Sequence, residues 1–292
     1  MRNSVWIKKN TSSLSGKTVA VSGSTGGLGR ALCEYLATLG ADLILIDRSI
    51  SRSNALKHEL ESKFPRLSVR QILLDLEDVA STKRAAEELS ELPVDYLVLN
   101  AGAYYIPRHE CALGYNNVFQ INFISPYYLA RALLPSVSAR GGRIVAVGSI
   151  AHNYSKINES DIDFSSARAA SKVYGNAKRF LIFSLYGLAN EGKISVTHPG
   201  IAVTGITAHY PKIIYALIKY PMKLIFMSPG RAALSILRGL FEDCGENEWI
   251  GPRVLNVWGL PKKQKLRTCS AAEAAKIRRA ADDIYEKMKE KE

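Results

Sequence analysis

Short apolar runs alternate with stretches of helical length along most of this chain, and few architectures tolerate that alternation. Residues 18–23, 42–47, 68–75, 94–100, 142–149 and 193–199 read as strands, with a seventh at 253–258. Continuous apolar segments such as Leu43-Ile44-Leu45-Ile46 suit strands buried on both faces, as in a parallel sheet. Between the strands, residues 27–39, 50–63, 78–91, 112–138 and 167–190 carry helical patterns. Repeated βα units with right-handed crossovers give an α/β fold: one doubly wound, mostly parallel sheet of about seven strands, with helices on both faces. Such sheets bind ligands beyond the carboxyl ends of their strands.

Size and composition fit one such domain. A chain of 292 residues with 47% apolar content can bury a large core, and no repeat recurs at a solenoid period. We expect an N-terminal extension at 1–16, a catalytic domain at 17–261 and a basic helical extension at 262–292. The start carries basic residues but no apolar run, which argues against a signal peptide or transmembrane helix there. Cys33, Cys111, Cys244 and Cys269 are scattered with no C-x-x-C pair, as for thiols in a reducing compartment, so a cytoplasmic location is expected. The net charge of +12 gathers at the ends: residues 1–17 hold four bases and no acid, and 262–292 hold ten bases and six acids. Solvated termini account for that distribution, and no nucleic-acid partner is expected.

The segment Ser22-Gly23-Ser24-Thr25-Gly26-Gly27-Leu28-Gly29 joins the first strand to the first helix. Gly23, Gly27 and Gly29 would provide a tight turn, close backbone approach to a pyrophosphate and intimate helix–strand packing. Open N–H groups at the helix start, together with its dipole, favour the anion. A glycine cluster alone is weak; one placed directly between strand and helix is much stronger. Asp47 ends the second strand, where a carboxylate can accept from an adenosine 2′-hydroxyl and repel a 2′-phosphate. Arg48 follows and could neutralise a phosphate instead. NAD is the favoured cofactor, with NADP the alternative. Asp75-Leu76 ends the third strand, where adenine would lie, and Asn100-Ala101-Gly102 ends the fourth, where small residues let the chain pass close to a ligand.

Tyr174 and Lys178 stand at i and i+4 in a predicted helix, so both face the same way. The spacing recurs at Tyr215/Lys219 and Tyr285/Lys289, but only the first pair follows a strand ending in Ser149 and precedes one ending in Pro199-Gly200. Order and context together resemble the short-chain dehydrogenase/reductase family in its compact form, over residues 15–260. The resemblance implies a Rossmann domain and a catalytic set of Asn122, Ser149, Tyr174 and Lys178. It also implies that Thr204, four residues after Gly200, touches the nicotinamide carboxamide, and that dimers or tetramers form through two long helices. Ser22 stands where the family more often has threonine, and Gly148 replaces the first of a common serine pair. The long interval from Ser149 to Tyr174 resembles the branch of retinol dehydrogenases and protochlorophyllide reductases.

The chemistry implied is alcohol/carbonyl interconversion. A tyrosine with a reference pKa of ~10 needs a shift of ~3 units, or ~4 kcal/mol, to work near pH 7. One ammonium at about 4 Å, with an effective dielectric of ~20, supplies ~4 kcal/mol. Lys178 is that size of perturbation and can also reach the nicotinamide ribose; Ser149 would hydrogen-bond the substrate oxygen, and Asn122 would hold a water beyond the lysine. Residues 201–229 hold Tyr210, Tyr215, Tyr220 and Phe226 among aliphatic residues, broken by Pro211, Pro221 and Pro229. A lid over a lipophilic or bulky substrate is favoured over peripheral contact with a membrane. His109, His152 and His198 lack metal-ligand spacing; they read as solvent-facing or hydrogen-bonded, and no metal is expected. The competing function is a noncatalytic dinucleotide-binding sensor or scaffold, since a fold does not fix an activity. A third is an epimerase or lyase that uses bound NAD transiently. The intact set of four polar groups argues for the enzyme.

Overall fold

The computed structural model describes residues 2–201 and 226–291. After helix α1 (Asn3–Asn10), the strands β1 (Thr18–Ser22), β2 (Asp42–Asp47), β3 (Val69–Leu73) and β4 (Tyr96–Leu99) alternate with α2 (Gly27–Thr38), α3 (Ile50–Lys63) and α4 (Val79–Ser90). The chain continues through α5 (Asn117–Phe119), a π-helical turn (Gln120–Ile124), α6 (Ser125–Ala139), β5 (Arg143–Val147), a 3-10 turn (Ile150–Tyr154), α7 (Ala170–Gly187) and β6 (Ile194–Thr197). It closes with α8 (Pro229–Gly239), β7 (Glu248–Val254), β8 (Trp258–Lys265) and α9 (Ala271–Glu290). The sheet order is β3-β2-β1-β4-β5-β6-β7-β8, parallel except for β8. The order reverses between β1 and β4, and that reversal opens a crevice at the carboxyl ends of the central strands.

Alternation along the buried strands divides the core in two. Val19 and Val21 of β1 and Leu43 and Leu45 of β2 face α2, α3 and α8, while Ala20, Ile44 and Ile46 face the layer built from α4, α6 and α7. Every residue of β5 is buried, as a central parallel strand requires. Caps terminate the helices where the sequence supplies them: Asp78 accepts from Ala80 N (3.0 Å) and Ser81 N (3.2 Å) at the start of α4.

The far edge of the sheet differs from expectation. Residues 253–258, read as a seventh strand, instead contain a hairpin turn, with Leu255 and Asn256 at left-handed φ of 50° and 58°. That turn joins β7 to an eighth strand. β8 carries Lys262, Lys263 and Lys265 on an open edge, the charge pattern that keeps edge strands from pairing further, and so it reads as polar tail in sequence. It also runs across position 261/262, where the catalytic domain was expected to end. Beyond it, α9 lays Ile277, Ala281, Ile284 and Met288 into the core. Each large apolar side chain so buried contributes about 1.5–3 kcal/mol before entropic costs. At the other terminus Trp6 and Ile7 of α1 are buried in the opposite layer. No helix among the described residues is long and apolar enough to cross a membrane.

Candidate active site

Backbone, more than side chains, builds the cofactor end. Gly23 takes φ +66°, and a methyl group there would lie 3.0 Å from the Ala101 Cα. A methyl at Gly29 would run into the Gly23 carbonyl and lie 2.9 Å from the Ser24 Cα, so this glycine lets α2 press against the turn. Gly26 precedes α2 without a side-chain cap, which leaves the first N–H groups of the helix, those of Gly27 and Leu28, directed outward for an anion. Asn100 ties the neighbouring strand in: its Nδ2 donates to Ser22 O (2.9 Å) and Gly23 O (3.2 Å). The Ser22 hydroxyl accepts from Asn100 N and Ala101 N, both at 3.0 Å, so serine performs here the bridging a threonine hydroxyl would. A dinucleotide pyrophosphate fits this cradle, because glycine hydrogens and uncapped N–H groups stand where side chains would obstruct it.

Asp47 sits differently from the sequence expectation. It is buried, its carboxylate accepting from the Ser24 hydroxyl, Thr25 N (3.1 Å) and Thr25 Oγ1 (2.9 Å), and burial raises its pKa above the usual carboxylate value. Its acceptors are turned inward to brace the glycine turn. Arg48 beside it is exposed. Leu76 is buried, whereas Asp75 is exposed and accepts from Glu77 N (3.0 Å), its own turn.

The four residues expected to be catalytic gather at the ends of β4 and β5. Gly102 follows β4; a methyl there would lie 2.7 Å from Asn122 Oδ1 and 3.6 Å from Lys178 Nζ. Lys178, 3% exposed, donates to Val147 O (2.9 Å) at the end of β5. Two residues on, Ser149 caps the 3-10 turn, its Oγ accepting from Ala151 N (3.2 Å). Tyr174, one turn before Lys178 in α7, is half-buried; the edge of its ring meets Tyr104 at 5.1 Å between centroids. The structure therefore brings Gly23, Asn100, Gly102, Asn122, Ser149, Tyr174 and Lys178 together at the carboxyl ends of β1, β4 and β5. Pro199 and Gly200 follow β6; Gly200 has φ +78°, and its backbone is wedged against Val257 and Met227. Thr204 and most of the expected lid lie outside the described residues. The ends of that segment do meet, Met227 N donating to Ile201 O (2.9 Å).

The electrostatics invert one expectation. Burial pushes the Tyr174 phenol up to about 12, opposed by a hydrogen bond with Ser149, and Tyr104 raises it further. Burial brings the Lys178 ammonium down to about 8. Its Nζ lies 5.8 Å from the Tyr174 ring centroid. Burial sets the direction of the shift, so the phenol bears its proton near neutrality. Asn122 is likewise more occupied than anticipated. Its Nδ2 donates to Ala103 O and Val118 O, both at 2.8 Å, and its Oδ1 accepts from Ala103 N (3.2 Å). The side chain pins the loop after β4 to the π-helical turn, and its amide is filled by protein partners. No sequence pattern announced that π turn, although such turns recur at functional sites.

Of the three histidines expected to be solvent-facing or hydrogen-bonded, His109 is exposed and His152 is hydrogen-bonded, whereas the His198 ring, among the described residues, is neither. His152 and His198 are buried at 0% and 3% exposure, and desolvation brings each down to about 4. His198 stacks on Trp249 at 5.1 Å with 9° between planes. His109 lies with Glu77 and Cys111, whose ligand atoms all fall within 4.8 Å of one another. Asn117 Nδ2, also donating to Pro107 O (3.0 Å), meets His109 Nδ1 at 3.2 Å, which leaves the ring proton on Nε2 facing Glu77 at 3.1 Å. Burial raises the Cys111 thiol to about 11.

Comparison with known proteins agrees with this geometry. The family model for short chain dehydrogenases matches residues 17–208. The chain is 35% identical over 230 residues to the short chain dehydrogenase resG of Aspergillus sclerotiorum, covering 66% of this chain and 64% of that one. It is 37% identical over 152 residues to rstn4 of Aspergillus nomiae, covering 48% and 41% respectively, so it spans less than two thirds of either fungal relative. Human retinol dehydrogenase 14 is 29% identical over 272 residues, covering 80% of each chain. Among solved structures, an uncharacterised Mycobacterium paratuberculosis protein superposes with a TM-score of 0.73 at 22% identity, covering 95% of this chain and 96% of its own, which shows the shared fold.

Proposed function

Because this chain belongs to the short-chain dehydrogenase family, an NAD(P)-dependent oxidoreductase family, we propose that it reduces a lipophilic carbonyl to an alcohol with Tyr174 as the proton donor. The observation carrying this reading is the half-buried Tyr174 phenol, kept protonated by burial and hydrogen-bonded with Ser149 beside the glycine cradle. A bound reduced nicotinamide supplies the hydride. Ser149 orients the substrate oxygen by hydrogen bonding, and Tyr174 delivers its proton to that oxygen as negative charge develops there. Lys178, anchored on Val147 O, has ammonium protons left for ribose hydroxyls and favours the phenolate after transfer. Asn122 acts by fixing the loop that carries Gly102. A sensor would need the cradle but none of this acid chemistry.

The inward-turned Asp47 and exposed Arg48 support NADP(H) over NAD(H), because the carboxylate is committed to the turn while the exposed guanidinium could neutralise a 2′-phosphate. The aromatic rim of Tyr104 and Tyr105, the apolar composition of residues 201–229 and the likeness to a retinol dehydrogenase support the lipophilic substrate class. Assembly through α6 and α7 is not part of this reading. Asp282 of α9 meets Tyr127 and Arg131 of α6, and Arg278 meets the Phe183 carbonyl of α7, so α9 packs on both helices. Loss of absorbance at the reduced-nicotinamide band tests the function. NADPH and NADH would each be offered with long-chain aldehydes, isoprenoid aldehydes and small polar ketones. Higher kcat/KM for the polar set removes the lipophilic reading; turnover by Tyr174→Phe at the wild-type rate removes the catalytic one.

A further inference from the structure

The residues behind the catalytic serine come from the C-terminal segment. The Ser149 carbonyl can only accept, so its 2.6 Å contact with His152 Nδ1 places the ring proton there. His152 Nε2 is then an acceptor, and the Thr268 hydroxyl donates to it at 2.8 Å. The backbone of the same turn is held by Arg179, one residue after Lys178. Its Nη1 donates to His152 O (3.1 Å) and its Nη2 to Thr268 O (2.7 Å). Glu273 grips the guanidinium through both oxygens, from Nε at 2.8 Å and Nη2 at 2.6 Å, and also accepts from Ile157 N (3.1 Å).

Glu273 occupies the fourth place of Ser270-Ala271-Ala272-Glu273, where a capping-box carboxylate would reach back to its own helix start. Here the Ser270 hydroxyl caps Glu273 N at 3.1 Å, while the carboxylate points away to Arg179 and Ile157. The turn from 149 to 157 is thus fastened at three points by residues 268–273, directly or through His152 and Arg179. An apolar contact would bury this surface without the cost of a guanidinium that is 2% exposed and an imidazole at 0%. What the polar set adds is direction, because its bonds end on the backbone of the serine turn.

We propose that His152 and Thr268 are positioning residues for Ser149, and that the Arg179–Glu273 pair holds them in place. The segment after the sheet is then part of the active-site framework. This rests on reading Ser149 as the ligand of the substrate oxygen. The decisive variants are Thr268→Val, which removes the donor to His152 at nearly constant volume, and Thr268→Ser, which restores it. Hydrogen–deuterium exchange of the whole protein is read at residues 149–157, with β1–α2 as the internal control for folding. Kinetics are read with NADPH and a long-chain aldehyde.

In Thr268→Val, exchange at 149–157 rises at least fivefold while β1–α2 is unchanged, and kcat falls about tenfold with KM and NADPH affinity within twofold. Thr268→Ser stays within twofold of wild type in every readout. Unchanged exchange at 149–157 in Thr268→Val, or equal losses in the valine and serine variants, overturns the proposal. Ser149→Ala separates the two levels. If it keeps wild-type kcat, the reading of the serine fails; if it loses kcat while Thr268→Val does not, the positioning role alone fails.

Discussion

The two halves of the candidate site, proposed to hold cofactor and catalytic groups, are built by different means. The cofactor half, from β1 through β4, is shaped by backbone: Gly23 and Gly29 open space, α2 presents N–H groups, and short-range turns close on themselves. The catalytic half relies on side chains that meet across long stretches of chain, such as Arg179 with Glu273 and His152 with Thr268. A backbone site tolerates most side-chain changes but no added methyl at its glycines. A side-chain site tolerates changes of bulk better than the loss of one donor or acceptor, because a buried partner left unsatisfied keeps its full desolvation cost.

That contrast can be broken or sharpened experimentally. The largest expected effect is Tyr174→Phe, which should lower kcat about 10³-fold while NADPH affinity, titrated by fluorescence, changes less than about threefold. A parallel loss of affinity would show that the halves are not separable. Next, Glu273→Gln leaves the buried Arg179 without its anion and should cost about 3 kcal/mol in urea unfolding, with the catalytic half most exposed to exchange.

Acid should act on the same half. His152 and His198 titrate near pH 4 in the fold against about 6.5 unfolded, so between those values the unfolded chain holds more protons. Stability present above pH 6.5 is therefore lost as the pH falls toward 4, by roughly 3 kcal/mol per histidine. Unfolding free energies measured at pH 7, 5.5 and 4.5 check the trend; a flat profile would contradict it.

Gly29→Ala should cost about 1–3 kcal/mol of stability and weaken cofactor binding, since the methyl meets the Gly23 carbonyl with no side chain to move aside. The smallest effect is Arg48→Ala, expected to raise KM for NADPH about tenfold and leave that for NADH within twofold. Equal changes for both cofactors would return Asp47 to the role of ribose ligand.

Much of this was legible from the chain. The alternation of apolar runs with helical segments located β1 to β6 to within a few residues, because strands buried on both faces leave no polar interruption. That Ser149, Tyr174 and Lys178 would lie together was legible through order and context, since two other tyrosine–lysine pairs share the spacing. One of those, Tyr285 and Lys289, lies on α9, where Arg131 covers Tyr285 at 4.1 Å and Lys289 pairs with Glu286. β8 was not legible, because an edge strand bearing lysines looks like a soluble tail. Nor were the roles of Thr268 and Glu273, which have no local signature as partners of residues 116 and 94 positions away.

The sheet of βα units, the glycine turn and the apolar stripe of α9 are written in the order of residues, because each depends on local conformational preference or on periodic burial. Packing of the closed layers settles where Asp47 directs its carboxylate, that burial raises the Tyr174 phenol, and that residues 268–273 meet the turn after Ser149. Those outcomes depend on desolvation and on hydrogen-bond partners drawn from remote parts of the chain, and both exist only once the layers have closed.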